Sequence, residues 1–391
     1  MSRITGKYEG NVAAGEEVRA FVPVPLPPRN PQFQMSDSLK ESLHAAEIAL
    51  DRLDISTALV PSVTWFVYAF VRSEAVLSSQ IEGTQATLTD LLNFEPTNQA
   101  AGALVTDVRE VCNYIDALYY ARSELHRPKG LPLSIRLLNE THRHLMRGVR
   151  GATKQPGEIR RSQNWIGGTR PGNAVFVPPP PHHLRNLLGE LENYIHAGDP
   201  LPPLIRVALL HAQFETIHPY LDGNGRVGRL MITLLLEHWK LLSQPVLYLS
   251  LFFKRNQQEY YRRLGAVRSD GDWEGWTGFF LEGVRTIAEE AVSAARDLFV
   301  IIDIDRMRVM RAPTSSVMAL RLLQQLPEQP VITIASATRL LKTTKPTAIK
   351  AVNTLEQLGI LAENTGRKRD RTFSYAAYIK RLGKETLAGR R

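Results

Sequence analysis

The stretch His218-Pro219-Tyr220-Leu221-Asp222-Gly223-Asn224-Gly225-Arg226-Val227-Gly228-Arg229 concentrates more chemistry than any other twelve residues of the chain. An imidazole titrates near neutrality, so His218 is a candidate general base for an attacking hydroxyl. Asp222 offers a hard oxygen suited to magnesium, which takes one or two carboxylates and completes its shell with phosphates and water. Gly223-Asn224-Gly225 lets the backbone turn tightly with successive N–H groups facing inward. A helix starting there points the positive end of its dipole at the same spot. Arg226 and Arg229, three apart, share a helical face. Two guanidinium forks beside an amide nest favour a di- or triphosphate. Each piece alone is commonplace: a His before Pro is usually structural, and paired arginines usually line a solvated face. Their concentration between two long apolar helical patterns points to a nucleotide site.

Outward from that run, the composition bounds the rest. The chain has 391 residues, 43% of them hydrophobic, which fits a soluble globular protein of two or three domains. No apolar stretch is long enough to span a bilayer, and the polar start carries no signal-peptide pattern, so a cytoplasmic protein without a membrane partner is expected. The single cysteine, Cys112, excludes an intrachain disulfide and reads as a packing residue. The net charge is +9, and its distribution is uneven. Residues 312–391 hold 14 Lys+Arg against 5 Asp+Glu, whereas the first 311 residues balance at 34 of each. The basic excess therefore belongs to the tail, as in an appended module with a polyanionic partner.

The periodicity is mainly helical. Leu39, Leu43, Ile48 and Leu53 recur at helical spacing. Further helices are expected over about 66–81, 104–125, 132–147, 183–196 and 203–217, and from Gly225 to about Leu241. The arm Phe21 to Pro28 is proline-rich and reads as extended. Gly167 to Pro178 differs in kind: glycines and prolines flank Val175-Phe176-Val177, which reads as a two-stranded flap ended by Pro178 to Pro181.

The twelve-residue run resembles the His-Pro-Phe-x-Asp-Gly-Asn-Gly-Arg-x-x-Arg signature of the Fic family, with Tyr220 at the phenylalanine position. Tyr220 adds a hydroxyl that needs a partner. Pro156-Gly157-Glu158-Ile159-Arg160, Gln163-Asn164-Trp165-Ile166-Gly167, Tyr260-Tyr261 and Trp273-Glu274-x-Trp276 extend the resemblance over roughly residues 10–300. It implies a helical bundle with a small β-hairpin flap and transfer of AMP from ATP to a Tyr, Thr or Ser hydroxyl. His218 would act as base and Asp222 as the Mg2+ ligand. Gly223, Asn224 and Gly225 would cradle phosphate oxygens, with Val227 and Gly228 in the same run. Arg226 and Arg229 would grip the β/γ end, and Tyr260 and Trp276 would bound the adenosine. The exposed edge of Val175, Phe176 and Val177 would receive an extended target segment. A homodimer is expected.

Ser78-Ser79-Gln80-Ile81-Glu82-Gly83 resembles the family's inhibitory motif. Ser78 and Glu82 share a helical face and Gly83 is a good helix stop. The resemblance implies a salt bridge from Glu82 to Arg229 that denies the γ-phosphate its arginine. In some relatives the same glutamate supports removal of AMP, so the reverse reaction is the alternative.

Residues 313–380 resemble a winged helix-turn-helix. Helices are expected over Val317–Leu326, Ile332–Leu341 and Pro346–Leu358, with a wing over 365–375. Lys345, Lys350, Arg367, Lys368, Arg369 and Arg371 would face phosphates of DNA. An alternative follows: a DNA-binding regulator whose N-terminal part senses nucleotide. The expected organisation is an inhibitory N-terminal part over 1–100, a catalytic core over 101–300 and the tail domain over 313–380, mainly α throughout.

Overall fold

The structure is a computed structural model that describes residues 3–59, 62–96, 104–314, 316–366 and 369–387. The elements in chain order open with β1 (Gly6–Ala13) and β2 (Glu16–Pro23). Helices α1 (Asp37–Leu59), α2 (Val63–Ile81), α3 (Leu88–Phe94), α4 (Leu104–His126) and α5 (Ile135–Leu145) follow. Then come α6 (Pro181–His196), α7 (Pro203–Ile217), α8 (Asn224–His238), α9 (Ser250–Arg255), α10 (Gln257–Ser269) and α11 (Trp273–Arg311). The tail adds α12 (Val317–Gln325), β3 (Val331–Thr333), α13 (Ile334–Leu341), α14 (Lys345–Gln357), β4 (Leu361–Glu363), β5 (Thr372–Tyr375) and α15 (Ala376–Leu387). The mainly helical class matches the reading of the sequence.

Two compact units share the chain. The first comprises Met1–Asp51, Cys112–Pro245 and Phe252–Ile287; the second comprises Arg52–Val111, Val246–Leu251 and Ala288–Arg391. They are interleaved in sequence, and residues 52–111 share a unit with residues 288–391.

In the first unit, α7 is buried from Leu204 to Ile217, with Arg206, His211, Gln213, Glu215 and Thr216 buried among its apolar residues. Prolines open α6 and α7 in their first turns, where a missing N–H costs nothing. Helix α8 packs on α7, and Gly228 sets how closely. A Cβ there would sit 2.3 Å from Glu215 Oε1 and 3.2 Å from the Phe214 ring. Arg122 of α4 reaches Glu237 of α8 at 2.9 Å.

The start of the proline-rich arm is extended, as expected: Phe21 to Pro23 end strand β2. Residues 6–23 form an antiparallel hairpin whose two-residue turn, Ala14-Gly15, has φ of 46° and 82°. Two successive positive φ values give a turn whose twist matches paired strands. The sequence does not announce this hairpin, because the commonest turn signals, Asn-Gly and Asp-Gly, are absent from residues 6–23.

In the second unit, β3, β5 and β4 form an antiparallel sheet in the order β3-β5-β4 beside α12, α13 and α14. Ile332 and Thr333, expected in a helix, pair instead with Phe373 and Thr372. Thr333 is the N-cap of α13 in a reciprocal box with Ser336, which moves the helix start to Ile334. Strand β5 and helix α15 both anchor on α11: Tyr375 of β5 donates to Asp305 at 2.9 Å, and Arg381 of α15 meets Asp297 at 2.7 Å. Of the basic residues expected on the wing, Arg367 and Lys368 lie outside the described residues. Arg371 lies over the Phe373 ring at 5.0 Å.

Candidate functional site

The site is built on the turn between α7 and α8. Helix α7 ends at His218, which adopts the left-handed conformation (φ 49°, ψ 62°) while its N–H still bonds to Phe214 O at 2.9 Å. Such a conformation costs a non-glycine residue about 1 kcal/mol or more and persists only where its surroundings impose it. Arg160 does so. Its backbone N–H donates to Pro219 O at 2.9 Å and its Nε to His218 O at 3.0 Å. Its Nη2 reaches Pro179 O at the end of the 166–180 segment. Arg160 is 1% exposed, and burial lowers its pKa to about 10, which leaves it a cation at neutral pH. Alanine keeps the backbone bond but loses the guanidinium's charge-assisted bonds to His218 O, Ser162 O and Pro179 O, which should be severe. Arg160→Ala is expected to lower stability by about 3–5 kcal/mol and to depress whatever activity His218 supports; thermal denaturation beside a turnover assay checks both.

The rest of the turn is braced by side chains. Tyr220 is buried and stacked on His142, ring centroids 4.0 Å apart and planes within 6°. The hydroxyl finds its partner in Asn139 Oδ1 at 2.9 Å. Asn224 accepts from Tyr220 N and donates to Tyr220 O, both at 2.8 Å. Its side chain therefore helps to close the turn. His142 accepts from Gly157 N at 2.8 Å, and its Nε2 lies 2.9 Å from Asp222 O. Burial is the largest cause holding its pKa down to about 4. His211, fully buried, is pushed down to about 3 for the same reason.

These two groups set an acid limit. The unfolded imidazoles titrate near 6.5 and take up protons as pH falls, while the folded ones do not. Stability is expected to be full above about 6.5 and to drop as pH falls from there toward 4, by up to about 3 kcal/mol for His142 alone. Denaturant midpoints between pH 7 and pH 4.5 measure it, and a His142→Gln variant should show a shallower slope.

Asp222 stands at the mouth of the turn, 29% exposed at its side chain. Its Oδ1 accepts Gly223 N–H at 2.7 Å, and Arg226 lies 3.7 Å from the same oxygen. Its Oδ2 meets Lys154 Nζ at 3.1 Å. Gly151 approaches so closely that a Cβ there would be 2.8 Å from Asp222 Oδ2. Gly223 is left-handed (φ 77°) and caps α8, and a Cβ would meet Met146 Sδ at 2.9 Å. The first-turn amides of α8 have no partner within the helix, by geometry, and the positive dipole end lies beside Asp222. Arg226 and Arg229 are 2% and 3% exposed. As a metal ligand Asp222 fits the habit of magnesium: one carboxylate, with the ammonium of Lys154 already standing on its open oxygen as a cation would.

Several expected site residues sit elsewhere. Val227 is fully buried and its N–H is spent on Gly223 O at 3.1 Å. Gly228 faces α7 and its carbonyl lies 3.1 Å from His211 Nδ1, so it serves helix packing. Tyr260 and Trp276 are 1% and 0% exposed. Tyr260 Oη lies 2.9 Å from His211 Nε2, and Trp276 donates to Ala208 O at 2.8 Å. They form an aromatic core with Phe253 behind the turn and present no surface to an adenine, which corrects their expected role. The spacing of an aromatic on a helix does not separate a wall from a core.

The flap is also reduced. A single bridge, Ile166↔Phe176, replaces a two-stranded ladder, and Pro171–Asn173 is a 3-10 turn. Prolines from 178 onward remove the donors that a longer ladder needs. Val175 is 83% exposed, whereas Phe176 and Val177 are nearly buried. Val177 O accepts Phe21 N–H at 2.9 Å, so β2 occupies part of the edge expected to be open.

In the second unit, Ser78 is buried on α2, which ends at Ile81 with Glu82 as C-cap. Gly83 (φ 97°) stops the helix as its type suggests. Glu82 itself is exposed.

The sequence reading singled out neither His142 nor the 151–154 segment. Gly151 and Lys154 sit outside any recognisable spacing, and His142 reads as one of three basic residues ending a helix.

With this geometry in place, comparison with known proteins is direct. Residues 132–236 match the Fic/DOC family, and residues 40–123 match the Fic/DOC family N-terminal region. A protein named protein adenylyltransferase Fic from Drosophila willistoni is 27% identical over 221 residues, covering 56% of this chain and 41% of that protein. Its namesake from Drosophila melanogaster is 26% identical over the same length. The chain thus spans about two fifths of the length of these curated relatives. Among solved structures, a Fic family protein from Desulfovibrio desulfuricans aligns with a TM-score of 0.57 at 20% identity, over 88% of this chain and 97% of its own. A Fic domain containing signaling protein from Bacteroides thetaiotaomicron aligns with a TM-score of 0.52 at 18% identity, over 64% and 95%. Both share the fold. The α7–α8 turn with His218 and Asp222 thus lies inside a Fic/DOC family domain, which this chain carries over residues 132–236 behind the family's N-terminal region.

Proposed function

We propose that this chain transfers AMP from ATP to a Tyr, Thr or Ser hydroxyl of a target protein and of itself. The observation that carries the reading is His218, held in a left-handed cap at the end of α7, with Asp222 and the N-terminus of α8 in the same short turn. The names of the curated relatives support it.

In this reading the target oxygen attacks the α-phosphorus while its proton passes to the imidazole of His218. The bond from the α-phosphorus to the bridging oxygen breaks, and pyrophosphate leaves. The first-turn amides of α8 hold phosphate oxygens, and Arg226 and Arg229 neutralise the β/γ end. A magnesium ion held by Asp222 would offset the charge that develops on the phosphates. Lys154 must move off Asp222 Oδ2 to admit it. Arg160 is a positioning residue that keeps the His218-Pro219 peptide in place. Target backbone would pair beside Val175, the open part of the 175–177 segment. The N-terminal region imposes a brake in which Glu82, with Ser78 and Gly83 on the same helix end, takes Arg229 away from the γ-phosphate.

The test is incorporation of α-labelled ATP, with magnesium, into wild type, Glu82→Gly and Glu82→Gly/His218→Ala proteins. Label in the first variant and none in the second supports transfer, base and brake together. No label in any of the three overturns the proposal.

One observation favours an added role for the tail. Arg339, Lys342, Lys345, Lys350 and Arg369 are all exposed around α13, α14 and the loop before β5. We infer that this unit binds nucleic acid in the manner of a winged helix, with α14 as the reading helix. Duplex DNA affinity should then fall steeply with salt, and Lys345→Glu should reduce the slope by about one. A flat salt dependence rules it out.

A further inference from the structure

A second cluster lies in the first unit, on elements that the proposed transfer does not use. Glu9 on β1 faces His182 and His183, the residues that follow Pro181 at the start of α6. His183 Nε2 lies 2.9 Å from Glu9 Oε2, and His182 Nε2 lies 3.1 Å from Glu9 Oε1. The ligand atoms of all three lie within 4.8 Å of one another.

Adjacent residues on a helix point about 100° apart. These two rings nevertheless turn toward one carboxylate, with centroids 4.2 Å apart. The Pro178–Pro181 run makes the backbone before them rigid. Two imidazole nitrogens and one carboxylate oxygen make a ligand set typical of zinc with an open fourth position. Bonds of about 2.0–2.1 Å in a tetrahedron place neighbouring ligand atoms about 3.3 Å apart. His183 Nε2 is 2.9 Å from Glu9 Oε2 and His182 Nε2 is 3.1 Å from Glu9 Oε1, so each carboxylate oxygen has one imidazole nitrogen near that edge and the second ring must close in from within the 4.8 Å span.

We propose that Glu9, His182 and His183 bind one Zn2+ ion, with water from the exposed His182 side as fourth ligand. Its role is to staple the N-terminal hairpin to α6. That hairpin in turn supports the 166–177 segment: Phe21 N–H bonds to Val177 O, and Glu16 takes Arg170 Nη1 at 2.7 Å and Gly172 N at 3.0 Å. Zinc would therefore stiffen the surface beside Val175 without touching the phosphate site.

The experiment uses the full chain without a histidine tag. Zinc affinity is measured by competition with a chromophoric chelator for wild type, His182→Ala, His183→Ala, Glu9→Gln and Asp222→Ala. One Zn2+ per chain is expected, weakened at least about tenfold by each of the first three changes and unchanged by the last. Cobalt(II) in place of zinc should give the intense visible bands of a tetrahedral ion, and hydrogen exchange across residues 6–23 should slow on adding zinc. His182 is largely exposed, so its removal leaves the fold intact and keeps the test valid. Equal affinity in wild type and His182→Ala, loss of binding only in Asp222→Ala, or no stoichiometric binding would each overturn the site.

Discussion

Glu82→Gly is expected to raise self-incorporation of labelled AMP by roughly ten- to a hundredfold over wild type. An inhibitory contact that biases an equilibrium by 1–3 kcal/mol changes the active population by about 5- to 150-fold. The substitution is gentle on the fold. Glu82 is exposed at the C-cap of α2, and its helical contribution is a backbone N–H to Ser79 O at 3.1 Å, which glycine retains. The following Gly83 already provides the left-handed stop. A change in labelling therefore reports on the carboxylate and not on unfolding. Titrating ATP separates two forms of brake: exclusion of the nucleotide raises KM, whereas a competing unproductive pose lowers kcat and KM together. Equal labelling of wild type and Glu82→Gly would refute the brake while leaving the transfer reading to its own test.

His218→Ala in the Glu82→Gly background is expected to lower the transfer rate by about 10²–10⁴-fold, the usual worth of a positioned general base. His218 has φ of 49°, so alanine also strains the cap of α7. His218→Asn is the better companion, since asparagine tolerates that conformation and cannot take the proton. Both variants should bind ATP nearly as wild type does, because the phosphate ligands lie on the next turn. If the Asn variant kept full rate, His218 would be a capping residue only and the turn would need a different chemistry.

What the sequence showed by itself is chiefly local. The helices α4 to α8 were legible from periodicity, the prolines that open α6 and α7, and the Gly223 turn. The presence of His218, Asp222 and two arginines in one short run was legible because a turn of so few residues has few ways to arrange them. The need of Tyr220 for a hydroxyl partner also followed from its chemistry, and Asn139 meets it.

Only the tertiary structure decided which faces look inward. Tyr260 and Trp276 carry the same signal whether they line a pocket or fill a core, and burial assigns them to the core. Gly228 lies inside the motif, yet the approach of α7, with Phe214 and Glu215 against it, decides its role. Arg160 holds His218 across 58 residues, a pairing that no local spacing encodes. The N-terminal hairpin took the edge expected to be free, because Phe21 and Val177 meet only once both segments lie on the same surface. Periodicity and turn chemistry act over a few residues, so they define elements; burial and long-range hydrogen bonds arise only when those elements pack, and they settle which side chains meet a substrate.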